Sequence, residues 1–167
     1  MKSRALQKFR SLLSGGRPVY GLWVTLESAS ITEMAVGLGL DWVVVDAEHG
    51  HLDWKDILEH IRAAVRSDTV VLVRVAENNP SLIKRALDIG ADGVVVPWIE
   101  TVDELRRVIA AAKYPPAGRR GIGAERASHA VGEFGDFDEE GVVFFAPVDD
   151  VFVTHVSRRV RNGCQCG

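Results

Sequence analysis

Apolar residues along this chain recur in two alternating rhythms. Leu6, Phe9, Leu12 and Leu13 fall at helical spacing between Ala5 and Leu13, and Gly15-Gly16 stops the run. Tyr20 to Leu26 reads as a strand. Ser30 stands three residues before Glu33, the spacing of a capping box, and Ile31, Met34, Ala35 and Leu38 then make one apolar face that Gly39 ends. Trp42-Val43-Val44-Val45 is apolar at every position, which predicts a strand covered on both faces. A helix follows from Trp54 to Arg66, with Ile57, Leu58, Ile61, Ala64 and Val65 on its stripe. Val70 to Val73 is the next strand. Asn79-Pro80 opens a helix, Asn as cap and Pro in the first turn, that runs to Gly90. Gly93 to Val96 is a fourth strand. Thr101 and Glu104 form a second capping box, Leu105, Val108, Ile109 and Ala112 face inward, and Tyr114-Pro115-Pro116 ends the helix.

Strand and helix therefore alternate, which predicts a parallel sheet of βα units. Two architectures satisfy that pattern. An open doubly wound sheet is complete within 167 residues, whereas a (β/α)₈ barrel typically needs about 250. Length favours the open sheet; the residues at the strand ends reverse the preference.

Composition narrows the field. Twenty basic and 23 acidic side chains leave a net charge of −3, without the basic field of a general nucleic-acid binder. No apolar stretch approaches the roughly 20 residues that cross a bilayer, and no apolar core follows Met1-Lys2-Ser3-Arg4 as in a signal peptide. The 2 cysteines, Cys164 and Cys166, form no disulfide framework, so a reducing cytoplasm is expected.

In a parallel βα array, functional groups gather beyond the carboxyl ends of the strands. Those positions hold Thr25 and Glu27, Asp46 to His49, Arg74, and Pro97-Trp98. In Asp46-Ala47-Glu48-His49-Gly50 a carboxylate can orient the imidazole and raise its basicity; the alternative is a solvated loop in which Asp46 caps nearby backbone. Arg74 follows four apolar residues and needs a partner. A bound carboxylate matches its fork, and an internal pair with Glu48 or Glu77 is the competing reading. No lysine ends a strand, which argues against Schiff-base chemistry. Arg119-Arg120-Gly121-Ile122-Gly123 is a basic loop that reads as a plain turn before an anion site. Cys164-Gln165-Cys166 has no further ligands near it, and His51, His60 and His129 are expected on solvated faces.

Several of these segments together resemble the HpcH/HpaI aldolase family. They are Asp46-Ala47-Glu48-His49-Gly50, Val73-Arg74-Val75, the run Leu82 to Ala91, Tyr114-Pro115-Pro116 and Arg120-Gly121-Ile122-Gly123. The likeness runs from Tyr20 to Gly135. It implies a (β/α)₈ TIM-barrel type of α/β fold, of which this chain carries the first four to five βα units in a partial barrel over 1–150. It also implies a divalent metal (Mg²⁺, Mn²⁺ or Co²⁺) and reversible cleavage of 4-hydroxy-2-oxo acids to pyruvate and an aldehyde. By the same resemblance His49 serves in acid–base chemistry and Arg74 holds the pyruvyl oxygens. Asp88, in Leu87-Asp88-Ile89-Gly90, reaches a neighbouring subunit's site and works with its His, so a homo-oligomer is expected. The expected partners are thus a small 2-oxo acid and further copies of the chain, with no nucleic acid and no membrane.

The family pattern places one metal carboxylate at the end of the fifth strand and another near the end of the sixth. The fifth strand would be Gly141 to Val148, which puts Asp149 or Asp150 near the first position, and Asp149 is carried over as that ligand. No sixth strand follows. The segment 151–167, rich in Arg and carrying both cysteines, departs from the family as a divergent tail, and a shortened or frame-shifted product is the expectation. The alternative function is a catalytically inactive half-barrel that serves as a binding or assembly module.

Overall fold

The structure is a computed structural model that describes residues 3–121 and the strand at 142–146. Five strands form one sheet: β1 (Gly21–Val24), β2 (Trp42–Asp46), β3 (Val70–Arg74), β4 (Gly93–Pro97) and β5 (Val142–Ala146). All neighbours are parallel and lie in chain order, β1-β2-β3-β4-β5. Five helices accompany them: α1 (Ser3–Ser14), α2 (Ser30–Gly37), α3 (Trp54–Ala64), α4 (Pro80–Asp88) and α5 (Val102–Ala112).

The chain order of the strands decides between the two architectures. A doubly wound sheet reverses its strand order and carries helices on both faces. In this sheet every crossover steps to the next strand, and right-handed crossovers then put α2 to α5 on one face. Alternation along the strands shows this directly. Val43, Val45, Val71, Val73, Val94 and Val96 pack with Ala35, Ile57, Ile61, Ile83, Ala86 and Val108 of those helices. Val44, Val70, Leu72 and Val95 point the other way, against Ala5, Leu6 and Phe9 of α1. This is the geometry of a (β/α) barrel wall, with α1 set across the inner face. The continuous valine runs follow from it, since both faces are covered. Each fully buried valine contributes about 1.5–3 kcal/mol.

Caps hold the helices in place. Asp53 accepts from the amides of Lys55 and Asp56 at the start of α3, and Asp56 returns the bond to the Asp53 amide. Thr101 and Glu104 make the expected box at α5, and Asn79 caps α4 through the Ser81 amide with Pro80 at its first turn. The box expected at Ser30 does not form. Ala29 is the cap residue, with helical backbone at φ −61° and ψ −17°, and no side chain bonds the first turn. The apolar face expected for α2 is only partly covered: Met34 is 60% exposed and Leu38 79%, while Thr32 and Ala35 are buried. The reason is position. α2 flanks β1, the first strand of the sheet, so only its side toward α3 and β1 is covered.

His60, expected on a solvated face, is fully buried. It lies on the stripe of Ile57, Ile61 and Ala64. Its Nε2 is 3.0 Å from the Leu26 carbonyl, which can only accept, so Nε2 carries the proton. Nδ1 then accepts from the Thr32 hydroxyl at 2.7 Å. This bridge joins α3 to α2 and to the loop after β1. His51 is exposed, as expected, and His129 lies outside the described residues.

Burial pushes the His60 pKa below its ordinary 6.5, against the weaker opposing pulls of the Leu26 carbonyl and the Asp56 charge. The folded chain thus holds the neutral ring while the unfolded chain takes up a proton. The bridge's contribution is full above pH 6.5 and is lost as pH falls through the depressed folded value. Thermal denaturation between about pH 7.5 and about pH 5.5 should therefore show a falling Tm, and His60→Gln should flatten that dependence. An unchanged slope in the variant would assign the pH dependence to other groups.

Among the described residues no helix is long and apolar enough to cross a membrane. The expected tail at 151–167, and the junction near 150, lie outside the described residues.

Candidate functional site

Strand parity selects the site. Val24, Val45 and Val73 face the outer helices. Trp23, Asp46 and Arg74 have the opposite parity and stand on the inner face at the carboxyl ends of β1, β2 and β3. Register brings the last two side by side, since Asp46 pairs with Arg74 across the strands.

Asp46 is the centre of the cluster and is buried. Its Oδ2 accepts from the Trp23 indole Nε1 at 2.8 Å and from Arg74 Nη1 at 3.2 Å. Its Oδ1 accepts from the amides of Glu48 at 2.9 Å and His49 at 3.1 Å, which turns the loop back over the strand. Gly50 is required for that turn. A Cβ there would lie 2.8 Å from the Asp46 carbonyl and 2.9 Å from that of Thr25. Burial alone would raise the Asp46 pKa; the Trp23 indole, the two amides and the Arg74 charge outweigh it and hold the carboxyl below its ordinary 3.8.

Glu48 closes the other side. Its Oε2 lies 2.5 Å from Arg74 Nη2, and its Oε1 accepts from the Trp98 indole Nε1 at 3.3 Å. Trp98 follows β4 with φ of +60°, a conformation that costs a bulky residue energy and that concentrates at functional sites. His49 Nε2 stands 3.7 Å from Glu48 Oε1, and its ring is 65% exposed. The Arg74 guanidinium also lies over the Trp23 ring, 5.6 Å from its centroid.

Arg74 is thus the shared element. It has five N–H donors. Two groups are engaged by Asp46 and Glu48, while Nε is buried without a hydrogen-bond partner among the described residues. Of the two internal partners open for Arg74, Glu48 is taken, together with Asp46; Glu77 instead accepts from Asn79. A buried donor left unmade costs about 1–3 kcal/mol. The cluster therefore presents an unsatisfied cationic donor beside an accessible imidazole, a combination suited to holding an oxyanion and moving a proton.

The expected site residues separate into three places. His49 and Arg74 come together through Glu48. Asp88 does not join them. It ends α4, which returns from the carboxyl end of β3 to the start of β4, and so lies at the opposite end of the sheet. There its Oδ1 accepts from Arg120 Nη2 at 2.8 Å and Nε at 3.3 Å, and Arg120 stacks on Tyr114 at 4.7 Å. Arg120 is buried, so the basic loop it belongs to is more than a plain turn. Asp149 lies outside the described residues. Among the described residues no three His, Cys, Asp or Glu side chains come together to hold a metal; Asp46 and Glu48 are already turned to Arg74 and the indoles. Trp23 and Trp98 complete the cluster. In the sequence Trp98 stands out only as a strand-end position and Trp23 not at all; strand parity is the one available signal for Trp23.

Residues 19–153 match the family described as HpcH/HpaI aldolase/citrate lyase. The 4-hydroxy-2-oxo-heptane-1,7-dioate aldolase of Salmonella arizonae is 38% identical over 119 residues, 71% of this chain and 45% of that protein. The chain spans less than half the length of the curated relatives it matches. A HpcH/HpaI aldolase from Desulfitobacterium hafniense superposes with a TM-score of 0.67 and 31% identity, over 72% of this chain and 47% of that one. A HpcH/HpaI aldolase/citrate lyase family protein from Burkholderia cenocepacia gives 0.67 and 34%, over 75% and 52%. In both cases about half of the solved structure corresponds to this chain.

Proposed function

Because the chain belongs to the HpcH/HpaI aldolase/citrate lyase family, we propose that its strand-end cluster binds a small 2-oxo acid and breaks the carbon–carbon bond of a 4-hydroxy-2-oxo acid. The products are pyruvate and an aldehyde. The observation that carries this reading is the buried Nε of Arg74, without a hydrogen-bond partner among the described residues and held beside His49 on the inner face of the strand ends.

Arg74 supplies a fixed positive charge and free N–H donors where the enolate oxygen of pyruvate gains charge. Asp46 and Glu48 hold the guanidinium plane in place, so little reorganisation accompanies binding. His49, accessible at the mouth of the cluster, takes the proton from the 4-hydroxyl as the C3–C4 bond breaks, and returns a proton to the aldehyde oxygen in the reverse direction. The electron pair of the broken bond goes to the enolate, which is protonated at carbon to give pyruvate. Asp149, the carboxylate expected to hold a divalent cation, lies outside the described residues; such a cation would supply Lewis acidity at the pyruvyl oxygens, and His49 and Arg74 are the described residues that carry the steps above. Asp88 sits far from this cluster in its own chain, so a role with His49 depends on a second copy, as in a cytoplasmic homo-oligomer.

The test is exchange of pyruvate methyl protons in deuterated water, followed by NMR with Mg²⁺ present. Enolisation at the cluster should make exchange faster than in buffer. Exchange at the buffer rate would contradict the proposed function.

A further inference from the structure

A second cluster of charge lies on the outer side of the molecule, between α4 and α5. A groove of about 530 Å³ there is lined by Lys84, Arg106, Arg107, Arg119 and Arg120, and no carboxylate is among its described lining residues. Its volume falls in the range of small-molecule sites, about 300–1,000 Å³. Three of the five cations have partners: Arg106 pairs with Asp103 at 2.8 Å, Arg107 with Glu104 at 3.9 Å, and Arg120 with Asp88 at 2.8 Å. Lys84 and Arg119 have no ion-pair partner among the described residues.

The packing leaves these two charges available. Gly121 borders the same groove, and a Cβ there would be in ordinary contact with Lys84, 3.6 Å from the ammonium nitrogen. Ala110, Ala111 and Pro80 give the groove apolar wall. Loop and helix are joined firmly, since the Arg119 amide bonds the Ala110 carbonyl at 2.6 Å and the Arg120 amide that of Lys113 at 2.9 Å. Like charges held together by the backbone repel one another, and a bound anion removes that repulsion.

We propose that this groove is a binding site for a phosphate ester, a dianionic head on a small apolar body, separate from the strand-end cluster. Lys84 and Arg119 meet the phosphoryl oxygens, the guanidinium as a planar fork and the ammonium as a point charge. Ala110 and Ala111 receive the apolar part. The site lies on the helix side of the wall, while the strand-end cluster of the same chain lies on the inner face.

Calorimetric titration of the whole chain with inorganic pyrophosphate tests this at fixed ionic strength. Saturable binding is expected. The double variant Lys84→Gln/Arg119→Gln should weaken it by at least about tenfold, the ratio that one charge-assisted hydrogen bond provides. Both side chains are exposed, so the fold does not depend on them. Arg17→Gln/Arg66→Gln removes two exposed charges elsewhere and should leave the affinity within about twofold, as should Arg74→Lys. Absence of saturable binding would overturn the proposal. So would an equal loss in the Arg17/Arg66 variant, which shows a diffuse charge effect, or a loss confined to Arg74→Lys, which puts the anion at the strand ends.

Discussion

Replacing Arg74 by Met is expected to destabilise the chain by about 3–5 kcal/mol near neutral pH. The side chains of Asp46 and Glu48 are only 2% and 11% exposed, and both are charge-paired to this one guanidinium. Methionine matches the length of the arginine stem but leaves two buried carboxylates facing each other. Removing one member of a buried pair costs far more than the pair itself contributes, because the remaining charges lose their compensation. The penalty should shrink in acid. The depressed Asp46 pKa means that its contribution in the native chain is present above 3.8 and is lost as pH falls through the lower folded value. The variant has less to lose there, so the two unfolding curves converge. Urea denaturation at neutral and acidic pH reads both effects. A change below about 1 kcal/mol at neutral pH would mean that water reaches the cluster and screens it.

His49→Ala should slow pyruvate methyl exchange by roughly 10²–10⁴-fold while leaving stability almost unchanged. The two effects separate because the ring is 65% exposed and makes no close hydrogen bond among the described residues; its contact with Glu48 is 3.7 Å. The His49 amide, not its side chain, is what bonds Asp46, and alanine keeps that amide. A general base that contributes little to folding is the pattern expected of a group positioned for chemistry. Exchange by NMR beside thermal denaturation checks both halves. Equal exchange in variant and native chain would remove His49 from the proton transfer.

The local elements are legible in the sequence because each rests on nearby residues. The valine runs, the Asn79-Pro80 start and the Thr101–Glu104 box all appear where the spacing predicts them. The strand order is not legible in the same way. It depends on which strands pair, and chain length argues for the open sheet that the sequential order excludes. The Ser30 box fails although its spacing is the same as that at Thr101, because Ser30 is already inside the helix that Ala29 begins. Polarity misleads at His60. Its spacing from Ile57 and Ala64 puts it on the buried stripe, and Thr32 and the Leu26 carbonyl satisfy both ring nitrogens there.

At the candidate site, Asp46, Glu48, His49 and Arg74 stand out by their place after apolar strands. Trp23 does not, because it lies inside a strand and looks like core. Only the parity of β1 against β2 and β3 shows that its indole shares the inner face with Asp46. Asp88 illustrates the reverse. Its motif marks it for a neighbouring copy's site, and within its own chain the return path of α4 sets it at the far end of the sheet against Arg120. Sequence spacing carries no information about which end of the sheet a helix terminus reaches until the direction of every element is known.

Recognition of a 2-oxo acid by Arg74 is tested by titration with oxalate, a planar mimic of the pyruvate enolate. Calorimetry on the native chain and on Arg74→Lys, with Mg²⁺ present, compares a planar fork with a point charge at the same place. Saturable binding to the native chain is expected, with a loss of about 1–3 kcal/mol in the variant, the range for a hydrogen bond to a charged group. Equal oxalate affinity in the two chains would contradict it and leave Arg74 as a structural partner of Asp46 and Glu48.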